Sequence, residues 1–123
     1  KISDLNQPIL LESFAVWCPT CTRQQKEIKT LHEELGDKIT SLSLDTDPNE
    51  NKNQVLEHKT KNGFNWRYAI APTELLQSLI EEFGVSVVNA PSAPVILVCN
   101  DNARLLKRGV KNVKELKEEL AKC

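Results

Sequence analysis

ILLESFAVWCPTC, residues 9–21, is the most informative segment of this chain, because it joins an apolar run to a pair of cysteines. Its first half is a nearly continuous apolar run of strand length, which is typical of a strand buried on both faces of a parallel sheet. From Pro19 the pattern changes, and Ile28, Leu31 and Leu35 form the apolar stripe of a helix that is predicted to end at Gly36. The two cysteines of the stretch are therefore expected where a buried strand meets a helix.

This position gives the cysteine pair a chemistry. The first turn of a helix has unpaired N–H groups, and the helix dipole favours an anion there. We therefore expect Cys18 to be the exposed, nucleophilic thiolate and Cys21, one turn along, to be the shielded thiol that resolves a mixed disulfide. Pro19 and Thr20 between them keep the turn helical and leave Cys18 accessible.

Two other interpretations of the cysteine pair fit the sequence less well. A structural zinc site needs four ligands, and a second Cys-x-x-Cys or a His pair is absent, since His32 and His58 are single and far apart. Two unrelated core cysteines fit poorly with a helix start. No metal or organic cofactor is expected. Cys99, inside an apolar strand, is predicted to be a small buried hydrophobe, and Cys123 to lie at a frayed terminus without a role.

Glu12 is the anomaly in the predicted buried strand. A carboxyl group in a strand that is apolar on both faces tends to keep its proton near neutral pH, and such a group can exchange protons with Cys21. The alternative is that Glu12 points to solvent at a strand irregularity.

Beyond residues 9–21, the chain continues to alternate strands and helices. The predicted order is strand, helix, strand, insert, helix, strand, strand, helix. The second strand is predicted through Ile39, Leu42 and Leu44. A helix opened by Asp47-Pro48-Asn49-Glu50 reaches Gly63, and a short strand follows through Phe64, Trp66 and Tyr68. The remaining elements are a helix after Pro72 that stops at Gly84, a hairpin of 95–99 and 103–106, and a last helix capped by Asn112 and Glu115.

Length and charge limit the function. The 123 residues make one domain, 1–123, with residues 46–71 as an insert within it. A net charge of -1 provides no basic excess for nucleic acid, and no apolar run is long enough to span a bilayer. Trp17 is predicted to be a lid over the site and a contact surface for partners, whereas the three aromatic residues of the insert are predicted to pack it onto the sheet.

A family resemblance now follows from two motifs. Residues 13–21, Ser-Phe-Ala-Val-Trp-Cys-Pro-Thr-Cys, resemble the active-site segment of thioredoxin-fold oxidoreductases, and Ala93-Pro94 resembles their cis-proline loop. The insert resembles that of TlpA-like extracytoplasmic thiol-disulfide oxidoreductases. The resemblance implies an α/β thioredoxin fold: a central mixed sheet of four to five strands flanked by helices, with a helical insert between the second strand and the second core helix.

The resemblance also implies roles. Cys18, Cys21 and Glu12 are expected to be catalytic. Trp17, Pro19, Thr20, Ala93 and Pro94 are expected to contact the partner, and the Ala93–Pro94 bond is expected to be cis, with its backbone free to pair with an extended partner segment. Where thioredoxin has a lysine near its buried acid this chain has Ser41, so Glu12 is expected to lack a cationic partner.

The cysteine pair and the family resemblance both predict thiol-disulfide oxidoreduction, most simply the reduction of disulfides in proteins. The partners are protein disulfides or dithiols and an upstream electron donor, and the chain is expected to be a monomer. An exported or membrane-tethered reductase is favoured over a cytoplasmic general thioredoxin. Because the chain begins at Lys1 rather than at Met, an export signal or anchor is one of the segments that could precede it. A non-catalytic thioredoxin-fold module that holds a client chain is the alternative from another class.

Overall fold

A computed structural model describes residues 7–123 as one five-stranded sheet with helices on both faces. The strand order across the sheet is β3-β2-β1-β4-β5. The elements in chain order are β1 Ile9–Phe14, α1 Pro19–Leu35, β2 Thr40–Asp45, α2 Lys52–Asn62, β3 Arg67–Ile70, α3 Thr73–Phe83, β4 Val95–Cys99, β5 Asn102–Leu105 and α4 Val113–Leu120.

The predicted buried strand is the centre of this sheet. β1 pairs in parallel with β2 and antiparallel with β4, so both of its edges are hydrogen-bonded inside the sheet. Its residues are almost all buried, as the apolar run predicts. The chain therefore leaves the middle of the sheet at Phe14 and enters α1 at Pro19, and Cys18 stands between the two.

The core divides by face. α1 and α4 cover one face through Ile28, Leu31 and Leu116, all fully buried against Leu10 and Leu97. α3 covers the other face, where Leu79 packs with strand residues and with Val87 of the short turn that follows it. Within residues 7–123, no helix has both the length and the apolar composition needed to cross a membrane.

The insert adds an edge strand to the sheet. β3 pairs in parallel with β2 and begins at Arg67, so the strand lies later in the chain than the predicted alternation from Phe64 to Tyr68. Phe64 and Trp66 precede it and are buried in the main core cluster, which confirms the prediction that these aromatics pack the insert onto the sheet.

The insert helix also starts later than predicted. Its N-cap is Asn51, whose side chain accepts from the N–H of Gln54 while the Gln54 side chain accepts from the N–H of Asn51. This reciprocal capping box fixes the start of α2 at Lys52, and Asp47 to Glu50 form a turn before it. The two carboxylates of that turn accept hydrogen bonds from Val16 and Trp17, just before Cys18.

Cys99 and Cys123 form a disulfide, so the predicted separate and passive roles are wrong. α4 runs back along the sheet and brings the last residue beside the end of β4, with the two Cα atoms 5.4 Å apart. The bond therefore closes a loop that includes β5 and α4. No local sequence pattern predicts this pairing, because the two cysteines are separated by 24 positions.

We expect this disulfide to contribute to the free energy of unfolding. Closing a loop of 24 residues lowers the entropy of the unfolded chain, which is worth about 3.5 kcal/mol at 25 °C. A Cys99→Ala, Cys123→Ser double variant should lose about that amount in urea unfolding monitored by circular dichroism. The matched control is Cys18→Ser with Cys21→Ser, which removes two thiols without opening the loop. A loss below about 1 kcal/mol beyond the control would show that the bond does not stabilise the fold.

Candidate active site

The cysteine pair lies at the N-terminus of α1. Cys18 is the N-cap residue, with an extended backbone, and its Sγ accepts a hydrogen bond from the N–H of Cys21 at 3.1 Å. Pro19 follows at the first helical position, where the missing N–H costs nothing. The helix start thus aims a backbone donor at the first sulfur, as the sequence predicts.

The expectation that Cys18 is exposed is wrong for this conformation. Cys18 is 1% exposed and Cys21 is fully buried, and both thiols are free. Cys18 packs into a small apolar cluster with Phe14, Ala15 and Ala90 because the turn after β1 folds back against the segment before β4. A partner sulfur therefore needs a local opening of this cluster to reach Cys18.

Cys21 needs a base to react. Its S–H donates to the carbonyl of Ala90 at 3.1 Å. Burial raises the pKa of the Cys21 thiol well above its ordinary range, and the hydrogen bond with Cys18 and the negative charge of Glu12 raise it further. The thiolate of Cys21 therefore forms only if a neighbouring group takes its proton.

Glu12 is buried, at 1% exposure, so its side chain does not point to solvent. Oε1 accepts from the hydroxyl of Ser43 at 2.6 Å and from Nε2 of Gln25 at 2.9 Å, and Oε2 accepts from the same Gln25 nitrogen at 3.2 Å. Burial raises the pKa of Glu12 to about 8, against the opposing effect of these donors. The group can hold or release a proton near neutral pH.

Lys111 is the residue that sequence reasoning missed. It is 1% exposed, and its Nζ donates to the carbonyls of Ala93 at 2.5 Å and Lys107 at 3.0 Å. Its positive charge lowers the pKa of Glu12, so the expectation that Glu12 lacks a cationic partner is wrong. The cation comes from the loop before α4, whereas Ser41 bonds with the His32 ring at 2.7 Å.

The burial of Lys111 has a local cause. The side chain of Gln24 pairs with both backbone groups of Lys111, accepting from its N–H at 2.7 Å and donating to its carbonyl at 3.0 Å. This fixes the loop against α1. Burial lowers the pKa of Lys111 to about 8, and the charge of Glu12 counteracts part of that effect. A single lysine between Val110 and Asn112 carries no sequence signal for such a position.

The Ala93–Pro94 bond is trans, so the predicted cis bond is wrong; residues 7–123 contain no cis peptide bond. Ala93 instead turns the chain into β4 by adopting a left-handed conformation, with φ 51° and ψ 58°. Its N–H donates to Ala90, its carbonyl accepts from Lys111, and the Pro94 carbonyl accepts from Ser13. Both residues are buried, so the predicted free backbone edge for a partner is not present here.

The segment before Cys18 is held by the acidic turn of the insert. The N–H of Val16 donates to Oε1 of Glu50 at 2.8 Å, and Nε1 of Trp17 donates to Oδ2 of Asp47 at 2.8 Å. Trp17 is 58% exposed, which suits a contact surface. Pro19 is exposed and Thr20 is half-buried beside it.

Asp45, at the end of β2, completes this acidic group. Its Oδ1 accepts from the N–H of Asp47 at 2.9 Å, and its buried Oδ2 has no hydrogen-bond partner. Burial, and then the neighbouring Glu50, raise the pKa of Asp45 to about 8, so this carboxyl holds a proton more strongly than an exposed aspartate does. In the described part of the chain, no group of three or more His, Cys, Asp or Glu side chains is arranged to hold a metal ion.

The five-stranded sheet, with a Cys-x-x-Cys pair at the start of the helix that follows its central strand, defines a protein of thioredoxin fold. The chain belongs to the Redoxin family, whose model matches residues 2–122.

Individual relatives are more distant. A segment of 43 residues is 40% identical to Thioredoxin X, chloroplastic, of Arabidopsis thaliana; it is 35% of this chain and only 24% of that protein. The fold is similar to that of a secreted Mycobacterium tuberculosis disulfide oxidoreductase homologous to E. coli DsbE, with a TM-score of 0.75 and 12% identity, covering 99% of this chain and 86% of the other. It is also similar to StoA from Bacillus subtilis, with a TM-score of 0.66 and 17% identity over 92% and 81% of the two chains.

Proposed function

We propose that this chain reduces disulfide bonds in other proteins by dithiol-disulfide exchange, at a site outside the cytoplasm. The observation that carries the proposal is the free Cys18–Cys21 pair at the start of α1, together with the buried carboxyl group of Glu12, whose charge acts on Cys21. Membership of the Redoxin family supports the redox chemistry.

The reaction proceeds in two exchanges. The Cys18 thiolate attacks one sulfur of the partner disulfide, which forms a Cys18–partner disulfide and releases the other partner sulfur as a thiolate. Cys21 gives its proton to the ionised carboxylate of Glu12 and attacks the Cys18 sulfur, which forms the Cys18–Cys21 disulfide and releases the second partner thiolate. The partner gains two electrons and the pair loses two. A dithiol donor must then reduce the pair again by the reverse exchanges.

The charges around the pair favour reduction of the partner over its oxidation. A strongly oxidising pair has its reduced, thiolate form stabilised by its surroundings. Here the side chains bonded to the segment before Cys18 are the acidic Asp47 and Glu50, which oppose an additional negative charge. We therefore expect a reduction potential nearer the value of about -270 mV for thioredoxin than the value of about -120 mV for DsbA.

The Cys99–Cys123 disulfide supports a site outside the cytoplasm, because structural disulfides persist in oxidising compartments. The secreted Mycobacterium tuberculosis structure has the same fold and is consistent with this location. Fractionation of the native organism, with the thiol state of Cys99 and Cys123 determined by alkylation and mass spectrometry, tests the compartment. Finding both as free thiols in the cytoplasmic fraction would favour the general thioredoxin instead.

Insulin reduction tests the activity. The wild-type protein, recycled by dithiothreitol, should precipitate insulin chains faster than dithiothreitol alone, and its potential should be measured by equilibration with glutathione. Cys99→Ala with Cys123→Ser is the matched control, since it removes a disulfide away from the site. If the wild type binds insulin but does not accelerate its reduction, the domain is a client-binding module and not a reductase.

A further inference from the structure

The insert reaches the active site through the side chain of Gln25. Gln25 lies on α1 and is fully buried. Its Oε1 accepts from Nε2 of His58 at 2.7 Å and from the hydroxyl of Tyr68 at 3.0 Å. A carbonyl oxygen has two lone pairs, and both are used by these donors. The amide nitrogen is thereby directed at Glu12, where it contacts both carboxyl oxygens.

A second branch reaches Glu12 through Ser43. The indole Nε1 of Trp66 donates to the Ser43 hydroxyl at 2.9 Å. An indole N–H is a donor only, so it occupies a lone pair of that hydroxyl. The hydroxyl hydrogen of Ser43 is left to point at Oε1 of Glu12, 2.6 Å away. Ser43 is fully buried, so water does not compete for this hydrogen.

The two branches make the oxygens of Glu12 unequal. Oε1 receives two short hydrogen bonds, from Ser43 and Gln25, whereas Oε2 receives one longer contact from Gln25. An oxygen that already accepts two hydrogen bonds is the poorer site for a proton. The proton of neutral Glu12 therefore resides on Oε2.

We propose that His58, Trp66 and Tyr68 of the insert are positioning residues for Glu12: they orient Gln25 and Ser43 so that both donate to its carboxyl group, and they leave Oε2 as the oxygen that exchanges the proton with Cys21. The inference rests on the proposed role of Glu12 as the base for Cys21. The inference gives the insert a function: hydrogen bonds from its residues, at the edge of the sheet, orient the carboxyl group of Glu12 in the redox site.

The charges around the network are consistent with these donor roles. Burial, and then the charge of Lys61, lower the pKa of His58, so its ring is neutral at pH 7 and the Nε2 hydrogen depends on the tautomer. Burial raises the pKa of Tyr68, so its hydroxyl keeps its hydrogen. The ionisable groups whose charges act on the network are Glu12, Cys21, Glu50, Lys61 and Lys111. In addition, Nζ of Lys59 lies over the Tyr68 ring, 5.8 Å from its centroid, and the His32 ring stacks on Trp66.

The test measures the titration of Glu12 directly, by NMR of its carbon-13 labelled carboxyl group. Trp66→Phe and Tyr68→Phe each remove one donor and keep an aromatic ring. Each should raise the pKa of Glu12 by about half a unit and the double variant by about one unit, because Ser43 and Gln25 are then less firmly oriented and donate less strongly to the carboxylate. Phe64→Leu is the matched control, because Phe64 stacks on Trp66 and Tyr68 and has no polar group.

A structural role alone would lower the thermal stability of all these variants and leave the pKa of Glu12 unchanged. The inference is therefore overturned if Tyr68→Phe and the double variant shift it no more than Phe64→Leu does. A measurement on the wild type covers the case of a variant that does not fold. Nitrogen-15 shifts of His58 should show the hydrogen on Nε2, and a hydrogen on Nδ1 would also overturn the inference.

Single-turnover kinetics separates this inference from the proposed function. If Glu12 is the base for Cys21, the pH profile of mixed-disulfide resolution should shift in the double variant by the same amount as the pKa of Glu12. A shift of that pKa without a shift of the profile supports the positioning network and refutes the role of Glu12 as the base.

Discussion

Cys21→Ser is expected to stop turnover after the first exchange and to accumulate the disulfide between Cys18 and the partner. Among residues 7–123, Cys21 is the other free cysteine, and its side chain is hydrogen-bonded to that of Cys18, so its thiol is next to the bond to be attacked. Removing the resolving thiol should reduce steady-state insulin reduction by a factor of about a thousand or more, because without it the intermediate must wait for an external thiol.

Cys18→Ser provides the comparison. This variant should form no mixed disulfide in the same period, because Cys21 is fully buried and its thiol pKa is raised by that burial. Acid quenching, followed by alkylation and peptide mass mapping, identifies the sulfur that is attached to the partner. A partner attached to Cys21 in either the wild type or Cys18→Ser would reverse the assigned roles of the two cysteines.

Glu12→Gln is expected to slow the second exchange by about ten to a thousandfold and to leave the first attack by Cys18 nearly unchanged. The substitution keeps the size of the side chain and removes the group that takes the proton from Cys21. Single-turnover reduction of a disulfide substrate between pH 5 and 9, with acid quenching, measures both steps. If the mixed disulfide accumulates equally in both proteins and the pH profiles coincide, Glu12 is only structural.

The same variant should change the pH dependence of stability. The pKa of Glu12 is about 8 in the folded protein and about 4.5 in the unfolded chain, so the folded state binds the extra proton between these values. Its contribution to the free energy of unfolding is complete below about pH 4.5 and falls by about 1.4 kcal/mol per pH unit up to about pH 8.

Glu12→Gln removes that fall, so its stability relative to the wild type should rise with pH across this window. The comparison uses the difference between the two proteins in urea unfolding, since Asp45, with its own raised pKa of about 8, contributes equally to both. A difference that stays constant from pH 5 to 8 would show that Glu12 ionises as easily in the folded protein as in the unfolded chain.

Local patterns were sufficient for the frame of the molecule. The apolar run that ends at Phe14 predicts a central strand. Gly36 predicts the end of α1, since glycine tolerates a positive φ, and in the structure its φ is 58°. The capping residues Asn112 and Glu115 likewise predict the start of α4, and the structure has both arms of that capping box. In each case the signal and the structure depend on residues within a few positions of one another.

Competition between two local signals explains the error in the insert. Asp47-Pro48-Asn49-Glu50 has the residue types of a helix start, and so does Asn51 with Gln54. The first set does not start the helix because Asp47 and Glu50 accept hydrogen bonds from Trp17 and Val16, which lie about thirty positions earlier in the chain. A long-range contact thus decided where a local element begins.

The strand-to-helix junction, with its cysteine pair and the acidic Glu12 before it, is predictable from the sequence alone. The surroundings of the pair depend on tertiary contacts: the burial of Cys18, the trans bond before Pro94, the Cys99–Cys123 disulfide, and the charge of Lys111 acting on Glu12. The two sets differ in how far apart the interacting residues lie along the chain. Periodicity and capping depend on neighbours, whereas burial and pKa depend on whichever distant residues the sheet order brings together.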